Sequence, residues 1–93
     1  MVSERQRKVY ELYELFNDYN RITILLNLYN EEITVDDLVL KTNLNYAIVL
    51  NNIEYLCSSK VLKKKEIDEK SLYEISDKTL NKLIGKMLKY VEK

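Results

Sequence analysis

The sequence predicts a mainly α-helical domain that carries one small β-hairpin. Apolar residues recur at helical spacing in four separate stretches, and the longest such run lies at the C-terminal end. Strand-like alternation occurs in one place only, residues 61–67 and 71–76. Between the helical stretches lies a short capped helix, a tight turn and a further helix, the order that presents one helix outward with a ribbon beside it. A chain of 93 residues is one domain, 1–93, with a core over 20–76 flanked by helices over 1–18 and 77–93.

The first helix is predicted over 4–18. Val9, Leu12, Tyr13 and Phe16 fall at i, i+3, i+4 and i+7 and form one stripe. A second is expected over 21–30 from Ile22, Leu25, Leu26 and Tyr29. Asp18 or Asn20 can cap it, although with no Gly or Pro at the break one longer helix is also compatible with the pattern. Thr34-Val-Asp-Asp37 matches a capping pattern, in which the Thr oxygen and an acidic side chain three residues on serve the open amides. That places a third helix over Val35 to Lys41, with Leu38 inward and Thr42-Asn43-Leu44 as the turn.

Asn45 is a competent cap for a fourth helix over about 46–58. Val49, Ile53 and Leu56 define its buried stripe, and Ala47, Asn51, Glu54 and Ser58 fall on the opposite side. Ile48 and Leu50 are expected on exposed flanks. Asp68-Glu69-Lys70 forms the hairpin tip, with Lys63 and Lys65 on one ribbon face and Lys64 on the other. The last helix starts near Ser76 or Asp77, and Leu80, Leu83, Ile84, Met87, Leu88 and Val91 hold the helical period throughout. Gly85 is unfavourable in mid-helix and marks either the close approach of another helix or tolerated drift.

Composition excludes several classes. With no His and a single Cys, Cys57, transition-metal sites and His-paired nucleophiles are not expected. Cys57 is either a buried small hydrophobe or an intermolecular disulfide across a dimer. No apolar run approaches the ~18 residues of a spanning helix, and no secretory signal opens the chain, so an intracellular, cytoplasmic location is expected. Glu31-Glu32 and Asp36-Asp37 are paired carboxylates without an accompanying nucleophile, and no enzyme activity is expected. Net charge is zero but uneven: residues 1–40 hold four basic and eight acidic side chains, residues 41–93 eleven and seven. The basic half is suited to a polyanion.

Thr34-x-x-x-Leu38, Leu44-Asn-Tyr-Ala-x-Val49, Ile53-x-x-Leu56 and Val61-Leu62, followed by Asp68-x-Lys70 and Tyr73-x-Ile75-Ser76-Asp77-Lys78, resemble the winged helix-turn-helix of prokaryotic regulators of the MarR and ArsR type. Size and composition are also similar to those of the small winged-helix proteins of crenarchaeal viruses. Lys60, Lys70 and Thr79 stand where these families often carry Gly, Arg and Gly. The resemblance implies a homodimeric, sequence-specific regulator of transcription that binds duplex DNA. The fourth helix would then lie in the major groove and the hairpin on the backbone or in the minor groove.

On that reading Asn45, Tyr46, Ile48, Asn51 and Asn52 approach base edges. Asn can bond two edges of adenine and apolar groups can meet the thymine methyl, which predicts an AT-containing near-palindrome. Lys41, Thr42, Lys63, Lys64, Lys65 and Lys70 would contact phosphate, whereas on a bland reading the lysines only protect an exposed strand edge. Leu12, Phe16, Met87, Leu88 and Val91 are assigned to a two-fold interface. Most of the eight Tyr fall on apolar stripes and are read as packing residues rather than base-stacking ones. No cofactor, metal or small-molecule ligand is predicted. The alternative function is a winged-helix module that binds protein and not DNA.

Overall fold

The computed structural model describes residues 3–92 as five helices and one two-stranded antiparallel hairpin. The order is α1 (Glu4–Leu15), α2 (Tyr19–Asn27), α3 (Val35–Thr42), α4 (Tyr46–Ser58), β1 (Leu62–Ile67), β2 (Lys70–Ile75) and α5 (Lys78–Val91). The break between α1 and α2 is real. Asp18 caps α2 by accepting from the Arg21 amide, so α1 ends at Leu15, three residues before the expected bound of 18. α1 opens with a capping box in which Ser3 and Gln6 serve each other's amides.

One core unites the body. Ile24, Leu25 and Leu28 of α2 and its end are fully buried, as are Leu38 of α3 and Ile84 of α5. Val49, Ile53 and Leu56 of α4 close the same cluster, and Leu62, Tyr73 and Ile75 bring in the hairpin. Burying side chains of this size contributes about 1.5–3 kcal/mol each. Residue Ile33 exchanges both backbone hydrogen bonds with Tyr73 (3.0 and 2.8 Å), so the segment before α3 adds one rung to the hairpin. That pairing has no periodic signature in the sequence.

The hairpin tip is tighter than expected. Ile67 pairs directly with Lys70, leaving a two-residue turn of Asp68 and Glu69 with φ of 50° and 66°. Both central residues sit in the left-handed region, the geometry that matches strand twist but favours Gly and Asn. A second departure from ordinary backbone occurs at Lys60, φ 63°. There the Lys60 amide bonds the Cys57 carbonyl and the Val61 amide the Leu56 carbonyl, the double closure that ends a helix through a left-handed residue. A Gly often found at this point in similar proteins would adopt it without strain.

Gly85 has its neighbour within the chain. A Cβ at Gly85 would stand 2.6 Å from the tip of the Tyr29 ring, so the close approach comes from a side chain of the turn after α2 rather than from another helix. The same contact region is fastened by Asn30, after α2, and Asn81 of α5: the Asn30 backbone N–H donates to Asn81 Oδ1 and Asn81 Nδ2 donates to Asn30 Oδ1.

α1 stands apart. It buries no residue, and only Leu15 and the following Phe16 pack against the core. Val9, Tyr10 and Tyr13 are 63%, 64% and 57% exposed. Arg21 ties the end of α1 to the body, donating to the Glu14 carbonyl while its guanidinium lies 4.7 Å from the Tyr55 ring centre.

Two of the left-handed side-chain positions, Lys60 and Glu69, define a stability test. Lys60→Gly and Glu69→Gly are each expected to raise unfolding free energy by about 0.5–1 kcal/mol in urea titrations, the relief of left-handed strain exceeding the added chain entropy. No gain at either site would mean the φ values are not held in solution.

Candidate nucleic-acid interface

The helix-turn-helix is built by local chemistry. Thr34 Oγ1 accepts from the Asp37 amide at 3.2 Å and starts α3, and acidic Asp36 and Asp37 occupy its first turn. Asn43, φ 58°, ends α3 in the left-handed conformation that Asn tolerates. Two residues later Asn45 Oδ1 accepts from the Ile48 amide at 2.9 Å and starts α4. Because Val49, Ile53 and Leu56 are consumed by the core, the opposite face of α4 is left open, with Ala47, Asn51, Glu54 and Ser58 all exposed.

The candidate base-reading residues divide. Asn51 lies at the centre of the open face, and Tyr46 is 52% exposed at the leading end. Asn45 is exposed, but its oxygen is engaged in the cap. Ile48 is half-buried on one flank, where Asn52 Nδ2 donates to the Ile48 carbonyl at 2.9 Å. Leu50 is half-buried on the other flank, against a groove shared with Tyr46, α3 and β2. The expectation of exposed Ile48 and Leu50 is therefore corrected: the flanks of α4 rest on neighbouring elements that periodicity within one helix cannot reveal.

The candidate phosphate residues are mostly occupied. Lys41 pairs with Glu31 at 3.0 Å. Thr42 donates its hydroxyl to the Leu38 carbonyl and receives the Leu44 amide, so it stabilises the turn. Lys63 meets Glu74 at 3.3 Å, and Lys65 bridges Glu32 at 2.9 Å and Glu74 at 3.4 Å on the same ribbon face. Lys64, on the other face as predicted, pairs with Glu66 at 3.3 Å. These exposed pairs are individually weak and exchangeable. Their sum still matters: β1, the turn and β2 hold four Lys and four acidic residues, a net charge of zero. Among the described residues Lys70 is the one hairpin lysine without an ion pair, and it lines the groove with Asp36 and Asp37.

Sequence reasoning missed this neutralisation. The composition of the hairpin carried part of the signal, and the Lys63–Glu74 pairing follows once the two-residue turn fixes the register. The Glu32 partner of Lys65 comes from the loop before α3 and needs the fold.

Of the interface candidates, Leu12 is 36% exposed and lines a cleft between α1 and the body with Leu15, Tyr55 and Leu80, and Val91 is 74% exposed at the end of α5. Met87 is half-buried, and Phe16 and Leu88 are half-buried against the chain's own core. Cys57 is a half-buried free thiol whose pKa is pushed up by burial, with nearby Lys64 opposing. Among the described residues no three carboxylate or thiol groups converge as a metal ion requires, and no helix is long and apolar enough to cross a membrane.

No family model matches the chain, and no curated protein matches it. Solved structures do. HlyU from Vibrio cholerae N16961 superposes with a TM-score of 0.86 at 15% identity, over 99% of this chain and 100% of that one. The transcriptional regulator HlyU from Vibrio vulnificus CMCP6 gives 0.84 at 19% identity, over 95% and 91%. A homodimeric winged helix-turn-helix DNA-binding domain from Mycobacterium bovis, a possible ArsR-family regulator, gives 0.74 at 17% identity, over 98% and 88%.

The hairpin chemistry predicts a titration. The Ser71 hydroxyl donates to Glu66 at 2.9 Å and Lys64 lies beside it, holding the Glu66 carboxyl below the ordinary glutamate value. A lowered carboxyl stabilises the hairpin above the ordinary range and loses that contribution as pH falls through the folded value. Carboxyl NMR titration should place the Glu66 midpoint below that of exposed glutamates, and Ser71→Ala should raise it. From this fold and this disposition of charge, the chain is similar in architecture to winged helix-turn-helix proteins.

Proposed function

We propose that the chain is a DNA-binding transcriptional regulator that acts as a two-fold dimer. The observation that carries this reading is the free face of α4, centred on Asn51 and led by Tyr46, held outward by a fully buried opposite stripe. The chain shares its architecture with structures described as transcriptional regulators, which supports the assignment. In a dimer two α4 helices would enter successive major grooves about 34 Å apart, each hairpin lying on the adjoining backbone or minor groove. The operator would be a near-palindrome containing A·T pairs opposite Asn51, since an Asn amide matches the adenine edge.

Self-association is supported by α1. A helix of 12 residues that buries nothing of its own is marginal in water, and its Val9, Tyr10, Leu12 and Tyr13 surface calls for a covering partner. The Mycobacterium bovis domain of the same architecture is described as homodimeric. Leu12, Met87 and Val91 join that surface in our assignment, with Phe16 and Leu88 supporting it from the core side.

A protein-binding role is the second reading. It is favoured by the neutral hairpin and by Leu40, 80% exposed on α3. Salt-sensitive binding to duplex DNA separates the two.

Selection from random duplexes should return a shared A·T-containing motif, and Asn51→Ala should relax preference at one position by about 1–3 kcal/mol. Recovery of no motif would defeat the regulator reading. In sedimentation equilibrium the chain should be dimeric at micromolar concentration and Val9→Glu with Leu12→Glu monomeric; a monomeric parent chain would refute the dimer.

A further inference from the structure

Charge along the chain is distributed in a way that the α4 reading does not use. The basic excess of the C-terminal half is absent from the hairpin and lies on α5, which carries Lys78, Lys82, Lys86 and Lys89 and no acidic residue. Their spacing of i, i+4, i+8 and i+11 aligns all four on the helix side away from Leu80 and Ile84. All four are exposed, and among the described residues none has an ion pair or a side-chain hydrogen bond. The contrast with Lys41, Lys63, Lys64 and Lys65, each facing a glutamate, is complete.

The stripe works against the helix that bears it. Like charges at i, i+4 repel, and Lys78 begins α5 at the end where the backbone dipole is already positive. The Asp77 cap, which accepts from the Thr79 and Leu80 amides, offsets the charge at that end alone and leaves Lys82, Lys86 and Lys89 without an acidic neighbour on the helix. A row of like charges that repel one another and form no ion pair within the chain points to a contact outside it.

We propose that the α5 lysine stripe is a second DNA-binding face, gripping the phosphate backbone of duplex DNA without regard to sequence. It rests on the reading of the chain as a duplex-DNA binder and names residues that hold the backbone. The surface is separate from α4, because α4 packs on α2, α3 and β1 while α5 packs on α2 and β2. The stripe runs about 16 Å along α5 with lysines about 6 Å apart, a length over which one DNA strand presents about five phosphates. α5 itself places no carboxylate between the lysines, and the glutamates that come near, Glu31, Glu32 and Glu74, share a cleft with Lys78 only. Recognition by repeated charge alone suits a regular polyanion better than an irregular acidic protein surface.

The test uses the full chain, a 40-base-pair duplex of scrambled sequence, and fluorescence anisotropy across a sodium chloride series. Replacing all four lysines with Gln (Lys78→Gln, Lys82→Gln, Lys86→Gln, Lys89→Gln) should flatten the salt dependence by about 3–4 in log–log slope, from about 0.9 per released phosphate contact. The Arg replacement at the same four positions should retain the slope. Thermal melting should show the Gln variant at least as stable as the parent, which separates lost binding from lost folding. An unchanged slope in a folded Gln variant overturns the stripe, and if Asn51→Ala still alters site preference the α4 reading survives it. A flattened slope supports the stripe even where Asn51→Ala leaves preference untouched, in which case it is the α4 reading that fails. Absence of duplex binding by the parent chain at low salt overturns both.

Discussion

Burial of Val49, Ile53 and Leu56 against α2 is the constraint on which the rest of the molecule depends. The three side chains sit at i, i+4 and i+7 and are 0%, 1% and 0% exposed. Rotating α4 by one residue, 100°, would drive polar side chains into a close-packed interior and leave leucine outside. The rotation of α4 about its axis is therefore fixed, and the face presented to solvent is whatever the core does not take. Asn43 and Asn45 fix where the helix begins, so both the rotation and the starting point of the outward face follow from a few residues.

The starts of α3 and α4 were legible because capping is local, whereas Asp18 was one of two candidates with Asn20 and Asp77 one of two with Ser76. Asp18, Thr34, Asn45 and Asp77 each accept from an amide two or three residues on, a relation the sequence displays directly. The hairpin tip was less so. Asp68 and Glu69 occupy a turn that ordinarily announces itself by Asn or Gly, and here the register is imposed by Leu62, Tyr73 and Ile75 docking on the core instead. Gly85 was readable as a site of close approach, but the identity of what approaches, Tyr29, is a tertiary fact. The same holds for the candidate site. The open face of α4 could be derived from helical geometry, whereas the half-burial of Ile48 and Leu50, the hydroxyl commitments of Thr42 and the glutamate facing each hairpin lysine depend on segments distant in sequence.

Charge and shape are thus handled by different parts of the fold. The hairpin offers a surface of alternating sign, stabilised by exchangeable pairs, that favours fit over attraction. Its lysines can each turn from a carboxylate to a phosphate at little net gain, because the glutamate left behind regains only water. The face of α4 contributes amide and aromatic groups with one acidic residue, Glu54, and no cation. Long-range pull must come from elsewhere on the molecule, and the four lysines aligned on one side of α5 supply a source for it.

The isolation of α1 has a further implication. A helix joined to its domain chiefly through Leu15, Phe16 and Arg21 draws little cooperativity from the body. In a pair that covers it, mass action links its ordering to the abundance of the protein itself. Dilution would then fray the amino-terminal turns while the interior stayed intact. The occupied fraction of any palindromic target would rise more steeply than in proportion to copy number, giving a threshold without an effector.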